Sequence, residues 1–111
     1  MKEYNKLVRD RIPEIIEKSG KKAITRTLTD EEFKVFLEKK LDEEVAEFHE
    51  SKDFKEIADI IEVLYAICAA NGYSIGRINT ELALKRFDRG SFTQKILLIG
   101  VEEAEVKNGE D

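Results

Sequence analysis

The sequence predicts a mainly α-helical protein built as an antiparallel helical bundle, and three features predict it. Two long segments, residues 30–50 and 53–71, carry apolar residues at helical spacing. The tight turn between them places their helices side by side and antiparallel. A third helical segment follows, so we expect four helices, one of them short, in a single domain over residues 1–101.

The short first helix is expected to end at about Ser19. Pro13 suits the first turn of a helix, and Gly20 suits the position just after the last one. Residues 23–28 then alternate with Ile and Thr, and residues 95–99 form a short apolar run. This pattern allows a two-stranded β ribbon between the two segments.

The long helices have recognisable boundaries. Thr29 and Glu32 have the spacing of a capping box at the start of the first long helix. The remaining boundaries are marked by residues that commonly cap helices, namely Asp53 and Ser74 at N-termini, and Asn71–Gly72 and Gly90 at C-termini. Residues 102–111 are polar and acidic, and we expect a flexible tail there.

Composition narrows the functional class. The net charge of −5 argues against a general nucleic-acid surface. Cys68 is the single cysteine, which excludes an internal disulfide and suits a reducing compartment. The N-terminus lacks the apolar region of a signal peptide, and no apolar run approaches the ~20 residues needed to span a bilayer. We therefore expect a cytoplasmic protein without a membrane or nucleic-acid partner.

Carboxylates interrupt the apolar faces of both long helices. On a helical wheel of residues 30–50, Glu44 lies in the middle of the apolar face and Glu47 lies nearer its edge. In the second helix, Glu56, Asp59 and Glu62 form a stripe surrounded by alanines, beside a broad apolar face of isoleucines. An ionised carboxylate buried without a partner is too costly to tolerate. A cationic group is therefore expected between the two helices.

The turn length sets which carboxylates face each other. Glu47 lies about one turn before the end of its helix and Glu56 about one turn into the next, so the two should be level. Glu44 and Asp59 should be level one layer deeper, about 4.5 Å away along the axis. Two layers of carboxylates form an all-oxygen site, which hard cations such as Mg²⁺ or Mn²⁺ prefer.

Each acid also has a simpler explanation when taken alone. Glu56 could complete a capping box with Asp53. Glu43 and Glu44 could pair with lysines one turn away, such as Lys39 and Lys40. The combined, register-matched pattern favours the metal site over these alternatives.

A di-iron carboxylate bundle is a rival with similar ingredients, and it requires Glu-x-x-His motifs. His49 is the single histidine, and Ala46 stands three residues before it. The sequence therefore argues against this rival.

Basic residues provide candidate anion ligands. The apolar stripe of the third long helix continues into Lys85 and Arg89, with Arg86 beside them, and this arrangement suits a polyphosphate. Cations near a helix C-terminus also have a purely structural explanation in the helix dipole. Lys6 and Arg9 form a second basic cluster before the first helix.

These motifs resemble those of a known superfamily. LDEEVAEF followed by EIADIIEV resembles the EExxE…ExxD motif of the MazG-like all-α nucleoside triphosphate pyrophosphohydrolases, whose relatives include phosphoribosyl-ATP pyrophosphohydrolase and the dimeric dUTPases. The segments YNKLVRDRIPEII and KRFDRGSFTQKILL extend the likeness to a small stand-alone branch, over about residues 4–99.

The resemblance implies Mg²⁺-dependent cleavage of a nucleotide, or of another pyrophosphate-bearing small molecule, between the α- and β-phosphates. It also implies a homodimer or homotetramer. Eight residues separate Glu47 from Glu56, fewer than is usual in MazG itself, which leaves the substrate class open.

The resemblance assigns the motif residues, and chemistry suggests their roles. Cation ligands would be Glu44, Glu47, Glu56 and Asp59, and Glu43 would orient or deprotonate the attacking water. Outside the motif, Glu62 would support the ligands, and the phosphates would be held by Lys85, Arg86, Arg89, Lys6 and Arg9. Two other classes stay open: a non-catalytic metal-binding regulator and a helical protein-interaction module.

Overall fold

The computed structural model describes residues Met1–Ala104, and four α-helices form in this part of the chain. They are α1 (Ile12–Lys18), α2 (Asp30–Ser51), α3 (Phe54–Ala70) and α4 (Ile75–Arg89). The prediction of a mainly α protein is confirmed. The chain divides into two compact units, residues 1–79 and the residues from Thr80 onward. That residues 1–101 form one domain stays a prediction.

The predicted capping box at the start of α2 is confirmed. The Thr29 hydroxyl accepts the Glu32 N–H at 3.2 Å, and the Glu32 carboxylate accepts the Thr29 N–H at 3.0 Å. Arg26 donates to both oxygens of the same carboxylate, at 3.0 and 2.8 Å. These bonds, with Arg26 the largest cause, lower the pKa of Glu32 to about 2.

The turn between α2 and α3 consists of Lys52 and Asp53. Lys52 adopts a left-handed conformation with φ of 56° and donates its N–H to the Phe48 carbonyl at 2.8 Å. The Asp53 carboxylate accepts the Lys55 N–H at 2.9 Å and so caps α3. This turn returns the chain on itself, and α2 packs against α3.

The other predicted helix boundaries also hold. Gly20, Gly72 and Gly90 follow α1, α3 and α4 with positive φ values of 90°, 70° and 81°, which glycine adopts at no steric cost. Asn71 is the C-cap of α3. At the start of α4, the Ser74 hydroxyl accepts the Arg77 N–H at 3.3 Å.

The centre of the α2–α3 pair is small. Leu37 is 2% exposed, and Val63 is the buried apolar residue on α3. Ile57, Ile61 and Leu64, from the apolar face recognised in the sequence, are 41–44% exposed. The less exposed side of α3 carries Val63 together with Glu56, Asp59 and two alanines, Ala66 and Ala70, whose small side chains permit close approach.

The predicted β ribbon between residues 23–28 and 95–99 is wrong, because residues 1–104 contain no strand. The side chains of residues 96–99 are 75–92% exposed, and Ile24 is exposed as well. Two isolated strands need a covered apolar face to offset the entropy of ordering, and most side chains of these segments are exposed.

Two remaining sequence predictions concern the membrane and the tail. Among the described residues, no helix combines the length and apolar character needed to cross a bilayer. Residues 102–104 are exposed and form no helix. The rest of the predicted acidic tail, residues 105–111, lies outside the described part of the chain.

Candidate metal and anion site

Glu44 joins two groups of carboxylates on the facing helices α2 and α3. Oxygens of Glu43, Glu44 and Glu47 lie within 4.8 Å of one another, and so do oxygens of Glu44, Glu56 and Asp59. The structure therefore brings Glu44 and Asp59 together, as the register of the hairpin predicts, whereas Glu47 and Glu56 fall in different groups that share Glu44. We call these five residues the carboxylate cluster.

Burial makes the position of Glu44 unusual. The residue is only 6% exposed, and its Oε2 atom has no hydrogen-bond partner among the described residues. Glu56 Oε2 is likewise buried without a partner. Leaving a buried acceptor unsatisfied typically costs about 1–3 kcal/mol. A cation bound between the two helices would give both oxygens a partner.

The pKa values of Glu44 and Glu56 are both raised. Burial raises the pKa of Glu44, the charge of Glu47 raises it further, and the Lys40 ammonium opposes the shift. Burial also raises the pKa of Glu56, and the negative charges of Glu47 and Asp59 add to it. Burial and mutual repulsion therefore make the ionised forms of Glu44 and Glu56 less favourable than those of free carboxylates.

Three basic side chains of the first unit contact the cluster. The Lys6 Nζ donates to Glu43 Oε1 at 3.1 Å, and the Arg9 Nη2 donates to Asp59 Oδ1 at 2.8 Å. The third basic residue, Lys40, belongs to α2 itself. Lys6 and Arg9 lie on the irregular segment before α1. Each therefore reaches the cluster from a distant part of the sequence, 37 and 50 residues away.

Lys40 provides the local pairing considered from the sequence. Its Nζ lies 3.3 Å from Glu43 Oε1 and 3.3 Å from Glu44 Oε1, and its side chain is 15% exposed. Lys39, the other candidate, instead places its Nζ 4.9 Å from the centre of the Phe36 ring.

The capping alternative for Glu56 does not hold, because the described residues show no capping box at the start of α3. Asp53 accepts the Lys55 N–H, but Glu56 Oε2 has no hydrogen-bond partner. Capping therefore does not account for a buried carboxylate at this position.

The charges in the cluster do not balance. The five carboxylates meet three cations, Lys6, Arg9 and Lys40. Glu47 and Glu56 have no ion pair among the described residues. If all five acids are ionised, two negative charges lack a protein partner, which matches the charge of one divalent cation.

Glu43 differs from its neighbours. Partial burial would raise the pKa of Glu43, but hydrogen bonds from Lys6 and Lys40 outweigh burial and lower it. The hydrogen bond to Glu43 and its charge raise the pKa of Lys6. Glu43 is therefore ionised at neutral pH and available to accept a hydrogen bond.

A cavity of about 500 Å³ lies beside the cluster. Its wall includes Glu44, Asp59 and Arg9 as well as apolar side chains, notably Phe33 and Val63. Such a wall suits a small molecule with an anionic and an apolar part, and its size is typical of ligand pockets. This apolar wall was not predicted from the sequence, although Phe33 and Val63 share helical faces with Glu44 and Asp59. Glu62 also lines the cavity but belongs to neither group of carboxylates.

The predicted phosphate ligands on α4 belong to the second unit. Lys85, Arg86 and Arg89 are exposed, and the two arginines lie in the last turn of α4, where the helix dipole favours cations. That they face the carboxylate cluster stays a prediction.

Comparison with known proteins identifies one partial relative. An uncharacterized protein of Mycolicibacterium smegmatis is 61% identical over 41 residues, which are 37% of this chain and 42% of that protein. The chain thus matches less than half the length of this relative. No family model matches the sequence, and no solved structure matches the chain. Function therefore has to be argued from the site.

Proposed function

We propose that this protein is a Mg²⁺-dependent nucleoside triphosphate pyrophosphohydrolase with the antiparallel helical bundle of the MazG-like all-α superfamily. It would hydrolyse the bond between the α- and β-phosphates and release a nucleoside monophosphate and pyrophosphate. The observation that carries the proposal is Glu44, a buried carboxylate with one unpartnered oxygen where the two carboxylate groups meet.

The residues present fit a hard divalent cation. Every acid of the cluster offers oxygen, the ligand type that Mg²⁺ and Mn²⁺ prefer. The unpartnered oxygens of Glu44 and Glu56 are suitably placed to accept a cation, and Glu47 and Asp59 would complete the ligand set. When bound, the ion would neutralise phosphate charge and lower the pKa of a water molecule.

Glu43 is the candidate to position the attacking water. Because its pKa is lowered, its carboxylate is a weak base and a good hydrogen-bond acceptor at neutral pH. This favours orientation of the water over removal of its proton. Lys40, which contacts both Glu43 and Glu44, would keep the two carboxylates in place. Glu62, on the cavity wall, would support the ligands from outside the cluster.

The substrate would lie in the cavity beside the cluster. Arg9 on the wall offers a guanidinium to a phosphate, and Phe33 offers an aromatic face to the nucleoside. Lys85, Arg86 and Arg89 are proposed as further phosphate ligands. The fit of the organic group against this wall would decide between a nucleotide and another pyrophosphate-bearing molecule.

We also propose a homodimer or homotetramer. Ile57, Ile61 and Leu64 follow one another at helical spacing on α3, and Tyr65 beside them is 52% exposed. A continuous apolar stripe of this kind is typical of an association surface.

The experiment is a panel of nucleoside triphosphates assayed with Mg²⁺, scored for pyrophosphate against single phosphate. Asp59→Ala should reduce pyrophosphate release at least about 100-fold, since even indirect supports of a metal typically cost 10–100-fold. Glu38→Ala, an exposed acid elsewhere on α2, should leave it unchanged. Undiminished turnover by Asp59→Ala would refute the assignment.

The same panel, combined with melting temperatures measured with and without Mg²⁺, separates the two other classes. A metal-binding regulator would be stabilised by Mg²⁺ but release neither phosphate nor pyrophosphate. A helical interaction module is favoured by the exposed apolar stripe of α3, and it would show neither a Mg²⁺-dependent melting temperature nor turnover.

A further inference from the structure

Two of the three cations at the cluster are held differently from the third. Lys40 is fixed by α2, and only 15% of its side chain is exposed. Lys6 and Arg9 lie on the irregular segment before α1, with side chains that are 42% and 55% exposed. Ion pairs this exposed contribute little to stability, so they can be exchanged for other partners at low cost.

The carboxylates that Lys6 and Arg9 occupy are ones the proposed function needs. Arg9 donates to Asp59, which is a proposed cation ligand. Lys6 donates to Glu43, which is proposed to orient the attacking water. A cation bound through Asp59 would compete with the Arg9 guanidinium for the same carboxylate. Its positive charge would also repel both basic side chains.

An anionic ligand in the cavity would give the displaced cations an alternative partner. Leu7, Val8 and Arg9 all line the cavity, so the segment that carries the two cations forms part of its wall. An anionic ligand in this cavity would lie beside that segment. Guanidinium and ammonium groups bind phosphate oxygens through charge-assisted hydrogen bonds.

We propose that Lys6 and Arg9 exchange partners when a ligand binds. In the free protein they neutralise Glu43 and Asp59. When a polyphosphate binds together with a divalent cation, they transfer to its phosphates. The proposal rests on the proposed function. It makes binding of the cation alone unfavourable relative to binding of cation and anion together, because only the anion gives the displaced side chains a new partner.

The exchange predicts effects of opposite sign on two affinities. Removing either cation frees a carboxylate, so affinity for Mn²⁺ alone should rise roughly two- to fivefold in Lys6→Met or Arg9→Met, and about tenfold in the double variant. Affinity for inorganic pyrophosphate in saturating Mn²⁺ should fall at least about tenfold in the double variant, because two charged hydrogen-bond donors are lost.

The experiment measures binding to the whole 111-residue chain without turnover. Free Mn²⁺ is followed by electron paramagnetic resonance, and pyrophosphate binding is followed by titration calorimetry. Lys18→Met is the matched control, since it also removes one cation and one exposed ion pair, at 3.2 Å to Glu14, but away from the cluster. It should leave both affinities close to those of the wild type.

Lys6→Arg retains the charge and should behave like the wild type in both titrations. Urea denaturation should show that the methionine variants are folded, because exposed ion pairs add little to stability.

The outcomes distinguish failure of the exchange from failure of the proposed function. If the wild type binds Mn²⁺ but the double variant binds it no more tightly, the exchange is refuted and the proposed metal site stands. Unchanged pyrophosphate affinity in the double variant also refutes the exchange. If the wild type binds neither probe, the proposed function itself fails, and the exchange fails with it.

Discussion

Replacing Glu44 by glutamine should reverse the order of stability between wild type and variant, depending on whether a divalent cation is bound. The substitution keeps the shape of a 6% exposed side chain but removes its charge. Without a cation, it relieves the repulsion from Glu47 and Asp59 that helps to raise the pKa of Glu44. It also places an amide donor near Glu56 Oε2, which has no partner.

The magnitude follows from the contacts of the residue. Relieving the buried, unpartnered carboxylate should stabilise the protein by about 2 kcal/mol, the middle of the range for such groups. Weakening the 3.3 Å ion pair to Lys40 should cost about 1 kcal/mol, since Lys40 keeps its contact with Glu43. The net gain of about 1 kcal/mol corresponds to a melting temperature about 5 °C higher.

A bound cation changes the sign. At a free Mg²⁺ concentration about 100 times its Kd, the wild type should gain about 2.7 kcal/mol. The variant lacks a central ligand and should gain much less, so the wild type becomes the more stable protein. Glu38→Gln, at an exposed position of α2, should follow the wild type in both conditions.

The assay is thermal and urea denaturation with EDTA and then with Mg²⁺. A variant that is less stable than the wild type in EDTA and equally stabilised by Mg²⁺ would contradict the reasoning. That result would mean that Glu44 is satisfied within the chain and does not hold the ion.

Two further predictions concern pH and association. The pKa of Glu32 is lowered to about 2 from the ordinary glutamate value near 4.5. Its ion pair with Arg26 therefore stabilises the protein fully at pH values above 4.5, and this contribution is lost as the pH falls toward 2. The stability difference between wild type and Glu32→Gln, measured by urea denaturation, should therefore shrink over that interval; a constant difference would contradict it. Ile61→Asp places a charge on the exposed stripe of α3 and should lower the molecular mass found by sedimentation, whereas Val35→Asp, on exposed α2 surface, should not. An unchanged mass for Ile61→Asp would remove the stripe as an association surface.

Features set by neighbouring residues could be predicted from the sequence. The capping box of Thr29 and Glu32 depends on a spacing of three residues, and the structure contains it. The approach of Glu44 to Asp59 was also predictable, because a short turn leaves little freedom in which layers of two antiparallel helices face each other. Both are consequences of helix geometry over one or two turns.

Features that depend on distant partners could not be predicted in the same way. The Arg9–Asp59 ion pair joins residues 50 positions apart, and no local pattern marks it. The β ribbon was inferred from alternation alone, but a strand also requires a neighbour that covers its apolar side chains. Periodicity likewise identifies residues that share a face of α3 without showing which face meets α2. Val63 is buried there, whereas the more apolar face with Ile61 is not.

The way α3 meets α2 is itself an argument for function. A pairing chosen for stability alone would bury the isoleucine and leucine face, because each buried apolar side chain contributes about 1.5–3 kcal/mol. The hairpin instead buries Glu44 against Asp59 and leaves Ile61 and Leu64 exposed. Departures from local packing rules are expected where a site must be formed, since binding then supplies what packing does not. Cation binding should offset the cost of the buried acids, and self-association should cover the exposed face. The two proposals therefore account together for one unusual packing choice.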